Sequence, residues 1–474
     1  MSNLLLEKLT DFIVGTHYED IPQKLIDLTK LAIIDTVGVT IAGWNEPAVE
    51  GVKKVYLHSG SPFGSSSLWG QCLKVPVETA ALINGTASHV LDFDDAAPSV
   101  IIHPSAPVLS AAIPVAEQLN KSGKDVITAY VIGTEVMLQL GKIVDLKHYQ
   151  LGWHSTATLG TIGAAAACSY LYDLTKEQAK HAIAIACSMA GGLQKNFGTM
   201  TKSFHVGLAA SQGVQAAALA KNGFTGNHDI FGTRGFLHAF NGGDNVETLV
   251  EKATFGKNYE LLKTGLTVKK FPCCYATHRF IHGVLALITV HHLQLEDIQE
   301  ITLVAPPGGL MPLVSTNPLT GLEGKFSAAY TALTALKDGY VKLSSFENEQ
   351  VLRPEIQGKM ATVDVRQMPG VTKTSQEIEE IPVEITIKTI AGNVYEKKVL
   401  HAPGSQNSPL TDKEMRDKWQ DCLSQYNKAT NNRTERLVEN CNIYYDEALQ
   451  IEKIDNFGNW LANMQVNFEQ LIKI

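Results

Sequence analysis

Between positions 89 and 107 the chain reads HVLDFDDAAPSVIIHPSAP, a stretch that concentrates residue types able to move protons. Asp92, Asp94 and Asp95 crowd together there. Their mutual repulsion makes at least one carboxyl hold its proton more tightly, unless cations or hydrogen bonds compensate. Asp92 and Asp95 are three residues apart and share a face if the preceding helix runs that far. His103 stands before Pro104, which keeps it extended and makes Ser105 a candidate helix N-cap. An acidic cluster and a histidine thus flank a helix start, a place that attracts anions. The same residues also fit an acidic helix end followed by a solvated loop.

Four other segments carry candidate chemistry. In GTMTKSFHVGLAASQG, Lys202 and His205 are three apart where a Thr-rich loop enters an Ala-rich helix. A lysine at that edge is either partly desolvated, a setting suited to proton transfer, or snorkels to the surface. In GWHSTATLG, His154 leads into Ser155 and Thr156 like a polar cap on a small-residue helix. In KKFPCCYATHRF, Cys274 and His278 are four apart, and Lys269, Lys270 and Arg279 form a cationic patch. A Cys–His nucleophile pair is conceivable there, although nothing else in the chain points to acyl transfer. In EGKFSAAYTALTALKDG, Tyr330 has small or apolar helical neighbours, as a half-buried core tyrosine also would. GxGxxG after a strand, the Walker A sequence, HExxH and GxSxG are all missing, which leaves side-chain acid–base chemistry.

These residues have to be positioned by helices over most of the chain. Apolar spacing predicts helices over 3–16 and 22–43, the second stopping at Gly43, and a helical pattern from there to about 265. Segments such as STATLGTIGAAAACSYLYDL are so rich in Ala, Gly and Ser that helix backbones can pack closely. From about 298 the texture alternates: IQEITLVAP, ATVDVRQ, IPVEITIKTIAG and VYEKKVLHAP read as strands, with AGN as a hairpin turn. Helices at 276–291, 325–338 and 345–357 are interleaved, and 411–425, 431–449 and 456–472 are helical again. The reading is therefore mainly α with a smaller α+β domain. A large all-helical domain, 1–267 with 403–474, is built from both chain ends, and an α+β domain over 268–402 is inserted in it.

A length of 474 residues argues for two domains, and 45% apolar with 19% charged residues is globular composition. A net charge of −8 without a basic stripe speaks against a nucleic-acid partner. Seven cysteines without a CxxC pair or zinc-like spacing suit reduced thiols in a cytosol and predict no metal site. The N-terminus reads as an amphipathic helix rather than a signal peptide, and no apolar run looks long enough to span a membrane.

Taken together, DFDD followed by HPS, TMTK-x-x-H, FP-x-x-x-x-TH and KFS-x-x-Y resemble the MmgE/PrpD family over nearly the whole chain. Its members include 2-methylcitrate dehydratase, cis-aconitate decarboxylase and iminodisuccinate epimerase. The resemblance implies an α+β lid on an all-helical bundle, a homodimer and no metal or organic cofactor; with the thiol reading, the expected location is cytoplasmic. By matching position it implies Asp92, His103, His154, Lys202, His278 and Tyr330 as the active-site set. Lys270 and Asp95 are added as substrate contacts. The implied catalytic residues are His103, Asp92, Lys202 and Tyr330, with Asp92 orienting His103. His154 and His278 bind carboxylates. Ala96 stands where family lyases carry Thr, Ser203 where Pro often follows the lysine, and APVL where methylcitrate dehydratases tend to have DNLG. The expected function is a cofactor-free lyase on a small di- or tricarboxylic acid, read first as a cis-aconitate decarboxylase. Methylcitrate dehydration, iminodisuccinate-type epimerisation and a catalytically silent binding homologue are the alternatives.

Overall fold

A computed structural model describes residues 2–58, 63–243, 247–429 and 435–472. The Ser2–Gly15 helix turns Leu5, Leu6, Leu9, Phe12 and Ile13 inward, the helical spacing that makes one apolar face. Gln23–Ala42 follows and ends at Gly43. That glycine keeps an ordinary helical φ of −79°. Space is what requires it, since a Cβ there would lie 2.4 Å from the Ala87 carbonyl oxygen.

Small residues set the packing of the central helices. Val77–Val90 crosses Thr201–Lys221 at Gly85 and Gly207, whose backbones nearly touch; a Cβ on Gly85 would sit 2.8 Å from the Gly207 Cα. Gly133 in Gly123–Gln150 and Gly163 in Ser155–Leu171 approach in the same way, each Cβ position 2.7 Å from the other residue's carbonyl oxygen. Gly123–Gln150 is the one described helix long and apolar enough to cross a membrane, and its apolar window is 94% buried within the protein. It kinks at Asp145 (φ 38°), whose carboxylate accepts from the Ser375 amide and hydroxyl at 3.1 and 3.0 Å.

The helical pattern expected from 44 to 265 is interrupted by a hairpin, β1 (Ser66–Leu68) with β2 (Gln71–Val75). The Ser67 amide and hydroxyl bond the buried Glu117 carboxylate at 2.6 Å each, which anchors this short polar strand. The helix expected at 345–357 is also replaced, by the short turns Leu343–Phe346, Asn348–Val351 and Pro354–Gln357. Pro354 lacks the amide needed to continue a helix and starts a new turn.

In the second half, β3 (Ile298–Ala305) pairs in parallel with β4 (Val363–Gln367) and antiparallel with β5 (Val383–Thr389), which carries β6 (Val394–Val399). Ile301, Leu303, Ile385 and Ile387 are buried, the period-two pattern of a sheet with one covered face. Helix Tyr275–His291 packs on it through Gly283, and Ala328–Asp338 packs on that helix.

Apolar side chains divide into two cores. One draws on residues from Leu5 to Val268 and again from Met415 to Met464; the other runs from Phe271 to Val399. The late helix Asp412–Ala429 returns to Gln23–Ala42, with the Trp419 ring against Gly38. A small third cluster of Val39, Ala42, Leu91, Phe93, Leu343 and Cys422 joins the two halves. The helix anticipated at 431–449 is present as Glu435–Ala448, and residues 430–434 lie outside the described residues.

Gly207→Ala drives a methyl into the Leu82 carbonyl oxygen and the Thr86 hydroxyl, at 2.2 and 2.3 Å. Overpacking of this kind costs about 1–3 kcal/mol. Denaturant unfolding is expected to show that loss for Gly207→Ala and none for Gly15→Ala, where nothing lies within 4 Å.

Candidate active site

The Val77–Val90 helix stops before the acidic cluster, so Asp92 and Asp95 do not share a helix face as expected. Asp92 takes a left-handed φ of 52°, and Ile101 one of 50°, so the stretch leading to His103 is strained at two non-glycine residues. Buried lysines hold it in place. The ammonium groups of Lys325, Lys269 and Lys418 donate to the carbonyl oxygens of Leu91, Asp92 and Phe93 at 2.6, 2.8 and 2.8 Å.

The three carboxylates then diverge. Asp92 Oδ1 accepts from Lys202 Nζ at 2.7 Å and lies 3.3 Å from Lys269 Nζ. Burial works against its charge, but Lys202 and Lys269 outweigh burial and hold its carboxyl well below the usual range. Asp94 Oδ2 lies 2.8 Å from His89 Nδ1 and 3.3 Å from His103 Nδ1, and these rings keep it ionised against the same burial. Asp95 turns away from both. Its carboxylate takes the Ser105 hydroxyl, which also meets the Tyr130 hydroxyl at 2.7 Å. Burial, aided by the Asp35 charge, pushes the Asp95 carboxyl well above its ordinary value. Ser105 is therefore the first residue of its helix rather than the N-cap; Pro104 occupies that position.

His103 Nδ1 also lies 2.8 Å from the Asp95 carbonyl oxygen. Both neighbours of Nδ1 are acceptors, so this nitrogen carries the proton and Nε2 keeps its lone pair in the neutral ring. Its backbone N–H donates to Thr156 Oγ1 at 3.1 Å. The carboxylate that orients His103 is thus Asp94, and Asp92 serves Lys202 instead.

His154 begins the Ser155–Leu171 helix, and its Nδ1 faces His205 Nδ1 at 3.2 Å. Burial, then the nearby Lys202 charge, pulls both rings below ordinary imidazole basicity. One neutral ring donates and the other accepts, so His205 sets the tautomer of His154. The Lys202 ammonium lies over the Phe197 and Phe326 rings, 5.4 and 5.1 Å from their centroids.

A cavity of about 100 Å³ is lined on one side by Asp92, Ala96, His103, His154, Thr156 and Lys202. Tyr275, Arg279, Ser375 and Glu379 close it from the second half of the chain. A second cavity, about 500 Å³, lies across the shared Asp92, Lys202 and Phe326 and is lined by Glu46, His89 and Lys325. Burial pulls the Lys325 amine down to about 8. The donor atoms of His89, Asp92, Asp94 and His103 lie within 4.8 Å of one another, close enough to share a metal ion. Lys202 and Lys269 already place two positive charges on Asp92, which opposes a further cation there.

Of the residues expected from sequence, Asp92, His103, His154 and Lys202 meet at one cavity, and four others lie elsewhere. Asp95 is in the buried Ser105–Tyr130 network. His278 is fully buried behind Tyr275, its Nε2 3.2 Å from the Cys273 carbonyl oxygen. Tyr330 is fully buried in the second core and gives its hydroxyl proton to the Ser345 carbonyl. Lys270 is half exposed and paired with Glu414 at 2.7 Å, beside a different groove. Cys274 lines the cavity, and burial raises its thiol to about 11, so it is no ready nucleophile. Sequence reasoning placed Asp94 in the acidic cluster and Lys269 and Arg279 in a cationic patch, but named none of the three as a site residue. Arg279 reaches the Ile381 carbonyl at 2.9 Å and lies 3.8 Å from Glu379, which also accepts from the Tyr275 hydroxyl.

Stability should follow the buried imidazoles. Burial lowers His89 to about 4, and burial with the Lys269 charge lowers His278 to about 3. An unfolded histidine titrates near 6.5. The unfolded chain therefore binds protons first as pH falls, so this contribution is complete above about 6.5 and is lost towards 4. Buried carboxyls with raised values, Asp95 and Glu135 among them, act in the opposite direction, so the lead of the parent over His89→Gln in thermal midpoint is what is expected to shrink from pH 7 to pH 5; a constant lead contradicts the assignment.

Comparison with known proteins adds a family. The model described as the MmgE/PrpD N-terminal domain matches residues 7–249, and that of the MmgE/PrpD C-terminal domain matches residues 271–442. Cis-aconitate decarboxylase of Homo sapiens is 28% identical over 433 residues, covering 88% of each chain. The Mus musculus cis-aconitate decarboxylase is 28% identical over 433 residues, 88% of this chain and 86% of the relative. Cis-aconitate decarboxylase of Aspergillus terreus is 26% identical over 367 residues, covering 71% and 73%.

Proposed function

The chain belongs to the MmgE/PrpD family, and on that footing we propose that it is a cytoplasmic, homodimeric lyase acting on a small polycarboxylic acid, with decarboxylation of cis-aconitate to itaconate as its reaction. The observation that carries this reading is the cavity wall itself, where an imidazole backed by an ionised Asp94 stands beside Lys202 and His154. The relatives named cis-aconitate decarboxylase support the choice of substrate. The smaller α+β half acts as a lid, supplying Tyr275 and Arg279 to the far wall.

The chemistry follows from charge. A tricarboxylate needs cations, and Lys202 and Arg279 on opposite walls supply them without any metal or organic cofactor. Neutral His154 and Thr156 offer hydrogen bonds to a carboxylate. The bond from the methylene carbon to its carboxylate breaks, and carbon dioxide leaves. The electron pair shifts across the adjacent double bond to the carbon next to another carboxylate. His103, acting as an imidazolium oriented by Asp94, gives that carbon a proton and is neutral afterwards. Lys202 is held in place by its 2.7 Å contact with Asp92. Ala96 lines the cavity with a methyl group. A longer substrate hydroxylated at the reacting carbon would find no hydroxyl there, which favours decarboxylation over methylcitrate dehydration.

Incubation of the purified protein with cis-aconitate, 2-methylcitrate and iminodisuccinate, followed by NMR, is expected to give itaconate from the first alone. Turnover of only one of the others moves the protein to the dehydratase or epimerase branch, and turnover of none leaves a binding homologue or a different acid as substrate. His103→Ala is expected to lower kcat by roughly 10²-fold or more, the scale of general acid–base catalysis. Asp94→Asn, which keeps the shape and removes the charge, should lower kcat with a smaller effect on KM. Near-normal turnover of His103→Ala removes His103 from the mechanism.

A further inference from the structure

On the surface away from the cavity, Glu177, His181 and His228 converge where the Lys176–Met189 helix meets the loop after Thr201–Lys221. Glu177 and His181 stand four apart on one helix face. His228 Nε2 lies 3.3 Å from Glu177 Oε1, and His181 Nε2 lies 3.8 Å from the same oxygen. A zinc tetrahedron with bonds of ~2.0–2.1 Å has edges of ~3.3 Å. The two edges that meet at Glu177, 3.3 and 3.8 Å, are near that value, and the three donors all lie within 4.8 Å of one another.

Two features hold the donors ready. His181 Nδ1 lies 3.2 Å from both the carbonyl oxygen and the amide nitrogen of Gly226, and the tautomer in which it donates to the carbonyl, the one an ion on Nε2 would select, leaves Nε2 bare on the side of Glu177. A backbone partner on the second nitrogen is what orients most metal-binding imidazoles. The same Nδ1 is 3.3 Å from His228 Nε2. The loop is pressed on the helix, since a Cβ on Gly226 would meet the Ala184 methyl at 2.6 Å. The two rings stand 4.8 Å apart at 37°. Lys180 is 3.7 Å from Glu177 Oε2 but only 2.5 Å from Glu7 Oε1, so it is drawn away from the cluster.

We propose that Glu177, His181 and His228 form a binding site for a divalent transition-metal ion of the zinc class, with its fourth position open to water. Two imidazoles and one carboxylate select such ions over magnesium, which prefers an all-oxygen octahedron. The proton-transfer chemistry uses none of these residues.

The test is calorimetric titration of the chelator-stripped full chain with zinc chloride, with magnesium chloride as the control. Zinc is expected to bind, at least about 10-fold more weakly in His228→Ala and in Glu177→Gln, the loss that even second-shell changes inflict on metal sites. His103→Ala, in the cavity, should bind zinc as the parent does. Absence of zinc binding, or binding unchanged in both His228→Ala and Glu177→Gln, overturns the proposal. Loss confined to His103→Ala assigns the ion to the cavity and overturns it equally.

Discussion

Three consecutive backbone carbonyls, those of Leu91, Asp92 and Phe93, each accept a hydrogen bond from a different buried lysine, and the candidate site rests on that arrangement. These carbonyls follow the last turn of a helix and lie away from water, where an unpaired acceptor costs about 1–3 kcal/mol. Ammonium groups satisfy them, but a buried ammonium needs an anion. Asp92 supplies one to Lys269 at 3.3 Å, and Asp35 supplies another to Lys418 at 2.5 Å. The strained turn at Asp92, the charge of its carboxylate and the direction of Lys202 all follow from this balance.

The same balance sorts the protons around the cavity. Asp92 and Asp94 face cations or imidazoles, which hold their carboxyls well below the usual range, while burial and the Asp35 charge push Asp95 well above it. The imidazoles of His89 and His154 stay neutral because burial and Lys202 oppose a further positive charge. One sequence run of three aspartates thus yields carboxyls whose hold on a proton is shifted in opposite directions, which is how environment assigns roles to like groups. His103 is the ring among them that combines contact with Asp94 and a place on the wall of the smaller cavity.

Much of this was legible from the residues because the helical half is strongly patterned. The Ala- and Gly-rich segments announce close helix packing, and β3, β5 and β6 alternate clearly. The β1–β2 hairpin was missed because SSLWGQCLK lacks alternation, and a side chain 50 residues away, Glu117, stabilises it. Position within the site was harder. Lys269 and Lys270 are the same residue type side by side, yet one is fully buried on Asp92 and the other is half exposed on Glu414. Adjacent residues on an irregular segment point in different directions, and only the fold decides which points inward. Tyr330 shows the reverse: its apolar helical neighbours described a core tyrosine, and the second core is where it sits.

The lysines on the three carbonyls come from positions 269, 325 and 418, while the turn they hold lies at 91–93. Their origins straddle the join between the two halves of the chain. The turn therefore cannot be transplanted as a cassette. Shuffling the first half of one relative onto the second half of another would preserve every helix and strand yet leave carbonyls and ammonium groups out of register. Descent within such a fold should favour point substitutions around the cavity over exchange of segments, because the scaffold of the turn is inherited whole or lost.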